Sequence, residues 1–205
     1  MFRWNDCSEG HIIIGMILTL TSLICLILTT FSVPFIKGIH FLSVPAPISV
    51  KFGAFGYCPS GSGIGAGGDC VGPKVGYGWD GDELSGWAVK AMILFGIAAI
   101  FMLLALLTLI LSLLKVGKFM WNPIYFRTTA LLGSLFAILA EIFALILLVR
   151  ARNRFDDIGL RAKYGAALWL GMVGAISAFL GAAMGGPKYQ GHYMYRADRR
   201  SAYNV

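Results

Sequence analysis

Two cysteines, Cys58 and Cys70 in the stretch CPSGSGIGAGGDC, are the residues whose spacing most directly implies a bond in this chain of 205 residues. They enclose eleven residues, a loop that a disulfide can close with a stabilisation of roughly 3 kcal/mol. Glu141 is the second chemically pointed residue, the one acid deep inside an apolar run and eight residues before Val149. At the helical rise it lies ~12 Å below that helix end. A carboxyl placed there faces a bundle interior and needs a partner or a proton. Two readings stand side by side: a structural group hydrogen-bonded to Ser22, Thr108 or Ser177 on a neighbouring span, or a titrating group that reports pH.

The other candidates do not assemble into a reaction centre. His11, His40 and His192 are scattered, and no nucleophile-base pair or metal-ligand spacing links them to the cysteines or carboxylates. An enzyme, a metal site and a cofactor are therefore not expected, nor is a nucleic-acid partner. Gly63, Gly65 and Gly68 satisfy G-x-G-x-x-G without a strand-turn-helix context and read as a hairpin tip. Asp80, Asp82 and Glu83 lack the spacing of a calcium loop and read as a solvated segment. Cys25 sits mid-span as a packing residue. Cys7, just before the first span, is either lipidated or an idle thiol.

What must position Cys58, Cys70 and Glu141 is a membrane protein. The chain is 58% hydrophobic and only 13% charged, with a mean hydropathy of +0.75, too apolar for an ordinary soluble domain. About 20 apolar residues cross ~30 Å of hydrocarbon, and four segments qualify: 11–34, 88–114, 128–149 and 164–184. They leave an N-terminus over 1–10, a long loop over 35–87, short loops over 115–127 and 150–163, and a tail over 185–205. The apolar run Ile12 to Phe31 is longer than a signal-peptide h-region and reads as an anchor.

Counting Lys and Arg on the two sides gives eight against nine, which leaves orientation open. A disulfide decides it, because such bonds persist in oxidising compartments. The first long loop is then extracellular and both termini are cytoplasmic. Within that loop, Ile39 to Val44 and Ile48 to Phe55 read as short strands, with Pro45 and Pro47 in the turn between them. A small antiparallel sheet stapled by the cysteines is expected on top of an all-α bundle. Trp79, Trp87, Trp121 and Tyr125 read as interface anchors. Lys188, Arg196, Arg199 and Arg200 in the tail lie where an anionic inner leaflet attracts them, and the chain ends in Val205, a weak carboxylate motif. In the fourth span Gly174, Ala178, Gly181 and Gly185 form a small-residue face for helix association, within the monomer or between copies.

The order Gly53, Phe55, Cys58, Cys70 resembles the G-L-W-x-x-C…C signature of claudin-like four-span proteins, with Phe55 where claudins carry tryptophan. The string FGAFGYC, which adds Gly56 and Tyr57, followed by VGY after Cys70, resembles the fungal Sur/PalI family more closely. This resemblance implies a claudin-like bundle of four transmembrane helices in the plasma membrane, without catalysis. It implies one of two jobs: assisting a multi-span ambient-pH sensor, or organising membrane domains that support the wall and endocytosis. The partners it implies are the lipid bilayer and either a membrane protein such as that sensor or a second copy. The rival class is a small channel or transporter with Glu141 as its polar site, which predicts ion or proton flux lost in Glu141→Gln.

Overall fold

The computed structural model describes residues 9–45, 49–59, 70–76, 86–113, 123–157 and 159–185. Among these residues the elements in chain order are α1 (Glu9–Thr30), β1 (Leu42–Val44), β2 (Val50–Phe52), β3 (Tyr57–Pro59), α2 (Gly86–Ala91), α3 (Ile93–Leu113), α4 (Pro123–Asp157), β4 (Lys163–Tyr164) and α5 (Ala166–Met184). Among the described residues four stretches are long and apolar enough to cross a membrane: Ile13–Thr30, Val89–Leu111, Ile124–Asp157 and Ala166–Met184. The second is helix α2 continued by α3 through a tightened turn at Met92, where the Met92 and Phe95 amides bond three residues back rather than four.

The long helices form a ring in which α1 packs on α3 and α5, and α4 packs on the same two neighbours. Lipid tails are as apolar as leucine, so helices in a bilayer associate through close packing rather than hydrophobic transfer. The sequence supplies that packing with small residues. Ala130, Gly133, Ala137, Ala140, Ala144 and Ala151 recur mostly at intervals of three and four along α4, and all are buried. On α5, Gly174, Ala178 and Gly181 face α1 within the same chain. A Cβ added at Gly174 would stand 3.2 Å from the Cys25 Cβ, and one at Gly181 would stand 3.3 Å from the Thr19 methyl. Gly185 is closed in by Phe126 of α4 and by Gly15 of α1. Ile17, Ile24, Ile100, Leu135, Trp169 and Ile176 point outward, where lipid tails replace water.

Helix α4 differs from the expected span. The apolar run ends at Val149, where the basic residues Arg150, Arg152 and Arg154 suggest a loop, yet the helix continues to Asp157. Its 35 residues make it ~52 Å long, well beyond ~30 Å of hydrocarbon. Leaving the apolar layer does not end a helix, because arginine and alanine are good helix formers. Gly159 ends it. With φ at +79°, Gly159 occupies the left-handed region that glycine reaches at no steric cost. Its amide bonds the Asp156 carbonyl and the Leu160 amide bonds the Phe155 carbonyl, the paired bonds of a Schellman stop.

The sheet has four antiparallel strands in the order β3-β2-β1-β4. Three come from the first loop. The fourth, which the sequence did not reveal, comes from the segment after α4 and pairs Leu42 with Tyr164 and Ser43 with Lys163. The strands β1 and β2 are three residues each, shorter than the expected Ile39 to Val44 and Ile48 to Phe55, and β3 carries Cys58. Leu42, Val44, Val50 and Phe52 alternate inward and are buried. Phe41 meets Phe95 of α3 with ring centroids 5.9 Å apart, and Phe52 meets Phe155 of α4 at 6.1 Å, so the sheet is seated on the helix ends by aromatic packing.

Candidate functional site

The motif residues come together at the junction of the sheet with the end of α1. Phe52 opposes Tyr57 in the ladder, and the Gly53 amide bonds the Gly56 carbonyl at 2.8 Å, so Ala54 and Phe55 form a two-residue hairpin loop. That loop lies on the turn that follows α1. The Ser32 hydroxyl accepts the Ala54 amide at 3.0 Å, and a Cβ on Gly53 would run into the Val33 carbonyl oxygen. Phe55 is half-buried and packs against the core, as does Tyr57. The aromatic position of the motif is thus a wedge between hairpin and bundle rather than an exposed reading head.

Cys58 in β3 is bonded to Cys70, with Cα atoms 4.3 Å apart. Immediately beyond it, the Tyr57 amide bonds the Val71 carbonyl and the Val71 amide bonds the Tyr57 carbonyl. The disulfide therefore holds residues 70–72 against the outer edge of β3, where Gly56 has its Cα under the Val71 carbonyl. The far end of the sheet is fixed differently. Arg152 of α4 stacks 5.1 Å from the centroid of the Tyr164 ring and sits 3.7 Å from Asp156, and Gly165 lies against the His40 carbonyl.

Glu141 stands apart from all of this. It is 6% exposed, on the inner face of α4, and an added Cβ on Gly171 of α5 would collide with its Oε2 and stand 3.3 Å from the Phe95 ring of α3. The expected hydrogen bond to Ser22, Thr108 or Ser177 is not made. Ser22 donates to the Gly174 carbonyl at 2.9 Å, and Thr108 donates to its own helix at Ala105 at 2.7 Å. These hydroxyls satisfy backbone carbonyls nearer to them, a common use of Ser and Thr inside helices. Neither Glu141 oxygen has a hydrogen-bond partner among the described residues, and those residues hold no cluster of His, Cys, Asp or Glu suited to a metal.

His40, which the sequence left unassigned, lies at the entry to β1 on the sheet side. Burial pushes its pKa below the ordinary value, the Lys51 charge pushes it further the same way, and a backbone hydrogen bond with Gly38 pulls back. A histidine with a lowered folded-state pKa contributes stability that is present above its unfolded pKa and is lost as pH falls through the folded one. Heat stability of the purified protein is accordingly expected to fall between pH 7 and pH 5. The loss should shrink in Lys51→Met, and an equal acid loss in wild type, His40→Gln and Lys51→Met would sink the assignment.

Several residues singled out in the sequence lie outside the described residues: Cys7, Pro47, Gly63, Gly65, Gly68, Trp79, Asp80, Asp82, Glu83, Trp121, His192, Val205 and the basic tail residues. The same holds for the side chains of His11 and Trp87. The residues that sequence reasoning missed are Ser32, Val33, Gly165, Arg152 and Tyr164, which fix the sheet from outside the motif. A family model described as the SUR7/PalI family matches residues 11–181. No curated protein matches the chain.

Proposed function

Because this chain belongs to the SUR7/PalI family, a membrane-protein family without known catalytic activity, we propose that it is a non-catalytic plasma-membrane organiser. The sheet stands outside the cell, both termini are cytoplasmic, and the sheet presents a fixed surface to a partner in the membrane or the wall. The carrying observation is that the motif segment is held at three independent points: the Ser32 hydroxyl, the Cys58–Cys70 bond and the seat of Gly53 on Val33. A segment fastened in this way to the end of a span supplies a shape rather than a reaction, because none of these residues presents a nucleophile, base or open ligand position. The disulfide supports the outside placement, since thiols in the cytosol stay reduced.

Ambient-pH signalling is the second reading, and His40 favours it. It is a titratable group on the sheet side whose charge state is governed by burial and Lys51. The channel reading draws no comparable support, because Glu141 is enclosed by Gly171 and Phe95 and has no second acid or base beside it among the described residues. The distribution of the tagged protein and the phenotype of a deletion strain together separate the jobs. An organiser is expected to form immobile membrane patches, and its loss to leave processing of the alkaline-response transcription factor intact. Uniform, freely diffusing protein, with processing lost only at alkaline pH, would overturn that reading in favour of the sensor's assistant.

A further inference from the structure

The two edges of the sheet are finished differently. The β3 edge is covered by Val71, which exchanges both main-chain hydrogen bonds with Tyr57. The β4 edge is the other end of the strand order, and among the described residues Lys163 and Tyr164 pair with β1 alone. The backbone there is nevertheless well held: Arg152 stacks on Tyr164, the Gly165 amide bonds the Phe41 carbonyl at 2.8 Å and the Ala167 amide bonds the His40 carbonyl at 3.0 Å. An edge with one side unpaired and its other side rigidly supported is a template for an added strand, and the shortness and the lysine of β4 blunt it against unselective pairing.

Charge selects what can be added. Ser43 lies directly opposite Lys51 on one side and Lys163 on the other, so the three side chains share the face turned away from the bundle. Arg161 lies two residues before Lys163, just ahead of the strand, and both are exposed. The four strands contain no acidic residue, and Asp156 and Asp157 lie at the end of α4, the first of them beside Arg152. Lys51 already acts on its surroundings, since its charge helps hold the His40 pKa down. Two copies of this edge paired with each other would set like charges face to face, which cross-strand pairing disfavours. The edge is thus closed to its own copy and complementary to a strand of opposite sign.

We infer that the β4 edge takes up an extended acidic segment of a partner protein, whose main chain continues the sheet while its alternate carboxylates meet Lys163 and Arg161. This rests on the reading of the sheet as the partner surface and names the chemistry of that partner. The test uses the purified full chain in phosphatidylcholine nanodiscs and a fluorescent peptide of alternating glutamate and threonine. Binding is expected, with affinity falling at least tenfold in Lys163→Glu/Arg161→Glu and tenfold or more when the peptide amides facing β4 are N-methylated. The charge-reversed protein should instead bind the alternating lysine-threonine peptide. Absence of binding, indifference to N-methylation, or an equal loss from Lys74→Glu elsewhere on the sheet side would each overturn the inference, the last two by reducing it to general charge attraction. A charge-reversed protein that failed in this assay yet kept immobile patches in the membrane would leave the organiser reading standing without this partner.

Discussion

Gly53→Ala is expected to leave little folded protein, although it adds a single methyl group. The methyl would stand on the Val33 carbonyl oxygen, with the Val33 carbonyl carbon and Cα close behind. All three are backbone atoms, so no side-chain rotamer relieves the clash. The first-span end cannot retreat freely either, because Ser32 is held by the Ala54 amide and the Val33 amide by the Ile39 carbonyl. Overpacking a tightly packed site costs about 1–3 kcal/mol where side chains can shift, and a fixed backbone puts this substitution at or above the upper end. Gly38→Ala is the matched control, since an added Cβ there meets nothing within 4 Å. The measurement is the yield of monodisperse protein and its midpoint of heat denaturation in detergent. Similar values for Gly53→Ala and Gly38→Ala would show that the hairpin does not rest on Val33 as described.

This seat explains why the motif was legible in the sequence while its partner was not. Gly53, Phe55 and Cys58 stand at recognisable intervals, and Cys58 to Cys70 is a short enough loop to suggest its own bond. The four spans were legible for the same reason, since apolar length is a local property of the chain. What the glycine lies against is not local. Val33 and Ser32 carry no signal of their own, and only the fold brings them under residues 53 and 54.

The end of α4 and the strand β4 were missed for one reason: the charges after Val149 end the apolar run but not the helix. The local signal for the true end was present in Gly159 followed by the apolar Leu160, which packs toward the same core as Phe155. Residues 150–157 read as helix would have brought the chain back at 163 beside the first loop, where β4 pairs with β1. Glu141 is the reverse case. Its depth was plain from the sequence, but a list of hydroxyls on neighbouring spans could not say that Ser22 and Thr108 were already bonded to main-chain carbonyls.

Cys58→Ala/Cys70→Ala is expected to lower stability by roughly 3 kcal/mol, the loop-closure value for a bond spanning this few residues, and to do so through the sheet rather than the helices. Alanine is the informative replacement because Cys58 is buried, and a serine hydroxyl there would add the cost of an unsatisfied donor. Without the bond, the hydrogen bonds between Tyr57 and Val71 and from the Lys74 amide to the Phe55 carbonyl remain to hold residues 70–74 to the hairpin. Their release would uncover the β3 edge, giving the sheet two open edges instead of one and raising the tendency of copies to associate. Reductant should reproduce the loss in the wild-type protein and leave the double variant unchanged. A membrane-impermeant thiol reagent should label neither cysteine in intact cells until reductant is added, and both afterwards. Labelling of both before reduction would remove the disulfide, and with it the argument that the sheet faces an oxidising compartment. A heat midpoint indifferent to both reductant and substitution would place the fastening of the hairpin on Gly53 and Ser32 alone.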